Sequence, residues 1–218
     1  MPLLATLATV VHSQVQSQVS EANARFSSAI TLLSSENFNS RLGGVFVPGS
    51  LTRTSSDNAF AASQVLAAYL RQQHAVTAQI KAAAYVPSNA AEAVQAALVG
   101  LANRSDLTRP LSLAGVSARN AQMSGETIEN LNFRSADLTG VHLEGSTLSG
   151  IQFTGTQLTR ANFKNAVLKD VDFSQAQVAG ANFSRADLRG ASHLSADMLA
   201  KATVSSSTQQ PSSTDSSP

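Results

Sequence analysis

The sequence predicts a mainly β fold in which the chain coils and turns a corner every five residues, entered through a small α-helical module. Three observations predict it. An unbroken five-residue period runs over residues 111–190, a turn-forming residue closes most of those periods, and apolar residues recur at three- and four-residue steps earlier in the chain.

The repeats come first because they dominate. Residues 111–190 divide into sixteen consecutive pentads without insertion, and the third position is apolar in every one. At a 43% apolar background this would arise by chance roughly once in a million. The first position is apolar in thirteen pentads and the second is polar in all but one, at Val167. The fifth is Gly in eight and Asn or Asp in four more. A helix would scatter such a pattern around its surface, and a strand would alternate it between faces. A short extended segment followed by a corner satisfies it. Positions one and three then point inward, and position five takes the positive φ that Gly, Asn and Asp tolerate.

Four corners close a square, so one coil is twenty residues and residues twenty apart stack. Phe133, Phe153 and Phe173 share one inward column, Phe163 and Phe183 another, and Leu148, Leu168 and Leu188 a third. We expect these eight to form the core ladder. Outside, Asn162 lies above Asn182 and Gln157 above Gln177, a spacing that permits amide ladders. Glu144 and Lys164 are predicted neighbours in an outward column.

Pentads such as ADLTG, ANFKN, ANFSR and ADLRG resemble the pentapeptide-repeat family, whose pattern is A(D/N)LXX. The resemblance covers 111–190 and implies a right-handed quadrilateral β-helix of about four coils, some 20 Å long at ~4.8 Å per coil. Departures at the first position are Glu126, Ser146 and Thr156, and Ala118 is small for a central position. The first coil is therefore expected to be looser than the rest. Segments 24–33, 40–46, 63–71 and 93–101 resemble a helical region that precedes the repeats in some bacterial members. Relatives of that kind often carry membrane-spanning helices upstream; no such run occurs here, so membrane attachment is not carried over.

The elements of the first 110 residues follow from spacing. Val15, Val19, Ala22, Phe26, Ile30 and Leu33 predict an amphipathic helix, and Ser40–Val47 a second. Asp57 is a good N-cap for a third, carrying Phe60, Val65, Leu66, Tyr69 and Leu70. Ser88 caps a fourth with Val94, Leu98 and Leu101 on one stripe, while 72–87 is Ala-rich and ambiguous. This 1–110 module is expected to cover the open end of the solenoid. At the other end, 191–203 is expected to form a capping helix started by Ser195, and the polar, low-complexity stretch 204–218 to be disordered.

Chemistry is sparse. With no cysteine, disulfides and thiolate chemistry are excluded. His12, His74, His142 and His193 are scattered without metal-ligand spacing. Arg41-Leu42-Gly43-Gly44 and Gly49 lack the Lys-Ser/Thr of a phosphate loop. Asp170 and Asp172 read as a solvated surface at a corner rather than a catalytic pair. We assign no catalytic, cofactor or metal residue.

Only 13% of residues are charged, about half the usual ~25%. Residues 111–190 carry seven basic and seven acidic side chains. That balance disfavours nucleic-acid binding, and equally disfavours mimicry of the DNA backbone by which some family members are thought to act on type II topoisomerases. Arg160, Lys164, Lys169 and Arg189 form a tentative interaction surface. The reading is a non-enzymatic scaffold for an unidentified protein partner, without a small-molecule substrate and cytoplasmic. A DNA-mimic topoisomerase modulator and a secreted bacterial effector are the alternatives, and homo-oligomerisation stays open.

Overall fold

The computed structural model describes residues 63–71, 88–104 and 109–211, together with Ala24, Ser27, Ser28, Thr31, Phe60 and Leu107. Of the helix expected over 15–33 only Ala24, Ser27, Ser28 and Thr31 are described, all four helical; the helix expected over 40–47, the Asp57 cap, the Ala-rich 72–87 stretch and residues 212–218 lie outside this set. The described chain is a right-handed quadrilateral β-helix of about four coils, with helical residues before it. Residues 63–71 are helical, α1 spans Ser88–Ala102, and the short α2 spans Ala196–Ala200.

Six short strands run parallel: β1 (Leu111–Ser112), β2 (Thr127–Glu129), β3 (Leu131–Asn132), β4 (Thr147–Gln152), β5 (Val167–Asp172) and β6 (Ala191–Ser192). The sheet order is β1-β3-β4-β5-β6, with β2 also paired to β4. Each pairing joins residues twenty apart, as in Leu111↔Leu131 and Leu148↔Leu168. Isolated bridges such as His142↔Asn162 and Gln157↔Gln177 complete the other two faces at the same offset. The hydrogen bonds obey one rule. A position-two N–H donates to the position-one carbonyl of the coil before, as Asp137 does to Val116 at 2.8 Å. A position-three N–H donates to the position-two carbonyl of the coil after, as Leu113 does to Asn132 at 2.7 Å.

Corners explain the period. Fifteen of the sixteen position-five residues have φ between +50° and +74°, seven of them glycine. Most corners are closed by a bond from the next position-one N–H to the position-three carbonyl, as from Ala136 to Phe133 at 2.9 Å. Positive φ at the third residue of such a turn is the type II geometry. Gly190 is the exception in φ, and its place is steric: a Cβ there would sit 2.6 Å from the Leu168 carbonyl oxygen.

All sixteen position-three side chains are buried, including Ala118. The rings of Phe133 and Phe153 stack with centroids 5.8 Å apart, and those of Phe163 and Phe183 at 4.9 Å. Phe153 meets Phe163 edge-on at 6.1 Å, so the two aromatic columns interlock across the lumen. Leu148, Leu168 and Leu188 are equally buried. Two first-position departures are resolved within the core. The Ser146 hydroxyl donates to the Met123 carbonyl and that of Thr156 to Phe133, both at 2.7 Å, so neither fully buried oxygen is left unpaired. The third, Glu126, is only half-buried and accepts from Asn103 Nδ2 at 3.2 Å.

Order extends beyond the boundary expected at residue 204, which corrects the reading of this stretch. Thr203 bridges Asn182 and Gln209 bridges Asp187, adding rungs to two faces. Thr208 is buried, and its hydroxyl donates to the Phe183 carbonyl at 2.9 Å. The Ser-rich composition suggested disorder, yet a polar strand needs few apolar side chains when its backbone completes a ladder. Before it, Ser195 caps α2, its hydroxyl accepting from the Met198 N–H at 3.2 Å, and Leu194 and Leu199 close the core.

Candidate interaction surface

The outer wall is built from positions two and four. Wherever position two is Asp or Asn, its Oδ1 accepts from the N–H two residues on: Asn132 from Arg134, Asp137 from Thr139, Asn162 from Lys164, Asp172 from Ser174, Asn182 from Ser184 and Asp187 from Arg189. In these pentads the position-four N–H makes no ladder bond to a neighbouring coil, and a side-chain acceptor of this length satisfies it. The same bonds correct the amide-ladder expectation. Asn162 and Asn182 turn their oxygens into their own pentads, and Asn162 Nδ2 donates to Glu144 at 3.4 Å.

The four cations of the tentative surface are dispersed. Lys164, on the third face, pairs with Glu144 at 3.0 Å, its predicted column neighbour. Hydrogen bonding by Lys164, and then its charge, hold the Glu144 carboxyl below the ordinary value. Arg189, on the fourth face, grips Asp187 through both Nε and Nη2 at 2.9 and 2.7 Å, which lowers the Asp187 pKa and raises its own. Lys169 is exposed on that face and adds to the field on Asp187. Arg160 is exposed at the corner between the second and third faces, with φ +60°. Two of the four are thus neutralised by carboxylates, and the set does not converge.

The most concentrated polar cluster is elsewhere. Asp172 accepts from the Ser174 hydroxyl at 2.6 Å and from Thr154 at 2.9 Å, and faces His193 Nδ1 at 2.8 Å. Partial burial pushes its carboxyl up, but the bonds from Ser174, Thr154 and His193 outweigh that and hold it below the usual carboxylate value. His193 was scattered in sequence reading, yet it follows Asp172 by one coil plus one residue, a spacing that could have flagged the pair. Beside them an open groove of about 230 Å³ is lined by Asn130, Asn132, Gly150, Gln152 and Asp170. His142 sits half-buried in the column of Asn162 and Asn182. Among the described residues no group of His, Asp and Glu could hold a metal ion, and no helix is long and apolar enough to cross a membrane.

The family model described as pentapeptide repeats matches in eight copies, over residues 112–150, 136–175 and 167–198. Similar solved structures include HetL, a pentapeptide repeat protein involved in heterocyst differentiation regulation in the cyanobacterium Nostoc, at 26% identity over 38% of this chain and 35% of that one, TM-score 0.35. A pentapeptide repeat protein of the Arabidopsis thaliana thylakoid lumen is 27% identical over 40% of this chain and 56% of its own, TM-score 0.24. The plasmid-mediated fluoroquinolone resistance protein QnrB1, trypsin-treated, is 29% identical over 44% and 52%, TM-score 0.29. These matches span between about a third and just over half of those proteins' lengths. No curated protein matches the sequence. Ladder, corners, inward columns and family model agree that residues 112–198 of this chain are pentapeptide repeats.

Proposed function

We propose that the protein is a non-enzymatic scaffold whose flat polar walls bind a protein partner in the cytoplasm. The observation that carries this reading is the separation of duties within each pentad. Positions one, three and five build the coil, while the side chains of positions two and four point out from it and, apart from the six Asp and Asn caps at position two, can vary without disturbing it. Arg160 and Lys169, the exposed cations of the surface not held in a carboxylate ion pair, are the residues we assign to the contact. The paired charges of the wall speak against a DNA-mimic role, which needs a dense negative surface.

The test compares affinity capture by the unsubstituted chain and by Arg160→Glu/Lys169→Glu, with circular dichroism confirming equal folding. A protein retained by the first and lost by the second supports the assignment. Identical recovery by both, or an effect of either on supercoiling by a type II topoisomerase, would overturn it.

A further inference from the structure

Coil one has no coil before it, yet its lower edge is occupied. By the ladder rule, the Ser112 carbonyl should accept from a position-three N–H below; it accepts from Arg71 Nη1 at 2.8 Å. The Gln122 N–H and carbonyl should both meet a lower coil; they meet the two ends of one side-chain amide, donating to Gln95 Oε1 at 2.6 Å and accepting from its Nε2. A position-four carbonyl accepts from the position-five N–H of the coil before, as Arg134 does from Gly115 at 2.9 Å; for Glu129 that donor would be residue 110, a proline, which has no N–H. Arg104 Nη2 takes the place at 2.7 Å. Three side chains therefore stand in for a missing rung on the first, third and fourth faces. On the second face Ser117 has no such substitute among the described residues.

The opposite end of the molecule carries the complementary pattern. A last coil offers upward its position-one carbonyls and position-three N–H groups. Here these are Ala191 and His193 on the first face, Ala202 and Val204 on the third, and Thr208 and Gln210 on the fourth, none hydrogen-bonded upward among the described residues. On the second face the end carries α2 instead of a rung. The capped faces are the three on which a second copy could add a strand, and the uncapped one is that on which it could not. Val204, beside this edge, is the one exposed large hydrophobic among the described residues.

We propose that Arg71, Gln95 and Arg104 form a surrogate coil, an autoinhibitory end-cap that keeps coil one from stacking on the C-terminal rung of a second copy. Such a contact is head-to-tail and does not close on itself, so an uncapped chain would grow into linear assemblies.

Gln95→Met keeps the side-chain length and removes both amide bonds. The Gln122 amide should then exchange with deuterium about fivefold faster, the ratio set by one net hydrogen bond. Arg71→Ala/Gln95→Met should show species at integer multiples of the parent mass that grow with concentration in sedimentation velocity. Adding Val204→Pro, which deletes the N–H of the receiving rung, should abolish them. The proposal is overturned if the Gln122 amide is unmoved in the single variant. It is also overturned if the folded double variant sediments like the parent, or if its assemblies persist with Val204→Pro.

Discussion

Gln175 holds a corner at φ +56°, where an ordinary L-residue is disfavoured by about 1–2 kcal/mol. Asn tolerates this region, and three other corners already use it, at Asn120, Asn130 and Asn165. Gln175→Asn is therefore expected to stabilise by about 0.5–1 kcal/mol, read as a rise of ~2–4 °C in melting temperature. Asp172 makes a different prediction. Its folded pKa is depressed below the ordinary 3.8, so its contribution is fully present above that value and is lost as pH falls through the folded pKa. Asp172→Asn keeps the acceptor for the Ser174 N–H but cannot ionise. The melting-temperature gap between parent and variant should shrink as the pH falls below about 4. A gap that widens on acidification would reverse the sign of the argument.

At the scale of elements, the inward columns and the closing strap, residues 203–209, are held by different means. Phe153 touches rings in its own column and across the lumen, so Phe153→Asp places a carboxylate among Phe133, Phe163 and Phe173. A loss of more than about 4 kcal/mol is expected, seen as failure to refold after denaturant. The strap depends on polar bonds. Thr208 donates to Phe183 and accepts from the N–H groups of Arg185 and Ser205. Thr208→Val leaves the Ser205 N–H without its acceptor, while the Arg185 N–H keeps Ser205 Oγ at 3.0 Å, and should cost about 1–3 kcal/mol, with faster proteolysis after residue 200 while the coils stay protected. These elements were unequally legible. The columns announce themselves because each inward residue is repeated by shape every twenty positions. The strap repeats Thr156-Gln157 as Thr208-Gln209, but inserted residues break the period, and its composition is that of a disordered tail. The caps Arg71, Gln95 and Arg104 bind backbone groups, which leave no mark on the partner's side chain, so no spacing in the sequence points to them. Dispersal of the four cations was hidden for a related reason: columns give neighbours along a face, whereas convergence depends on which face each occupies.

For the whole molecule, stability should be modular in units of twenty residues, because each coil contacts only its neighbours and both ends are capped separately. Deleting residues 151–170 removes one full coil and joins Gly150 to Val171, another corner-to-first-position junction. It also brings Phe133 beneath Phe173 in the same column and preserves the rotation between the Gln95 cap and the Thr208 strap. Deleting only residues 151 and 152 removes less surface but shifts every later pentad out of phase, moving Phe153 and Phe173 into the first position and placing Gly155, Arg160, Asn165 and Asp170 at the inward third position. The larger deletion is accordingly expected to keep a β-rich circular dichroism spectrum and one cooperative thermal transition at a lower temperature, and the smaller one to lose both. If the two-residue deletion proved the better folded, the stacking of pentads in phase would not be what holds the solenoid together.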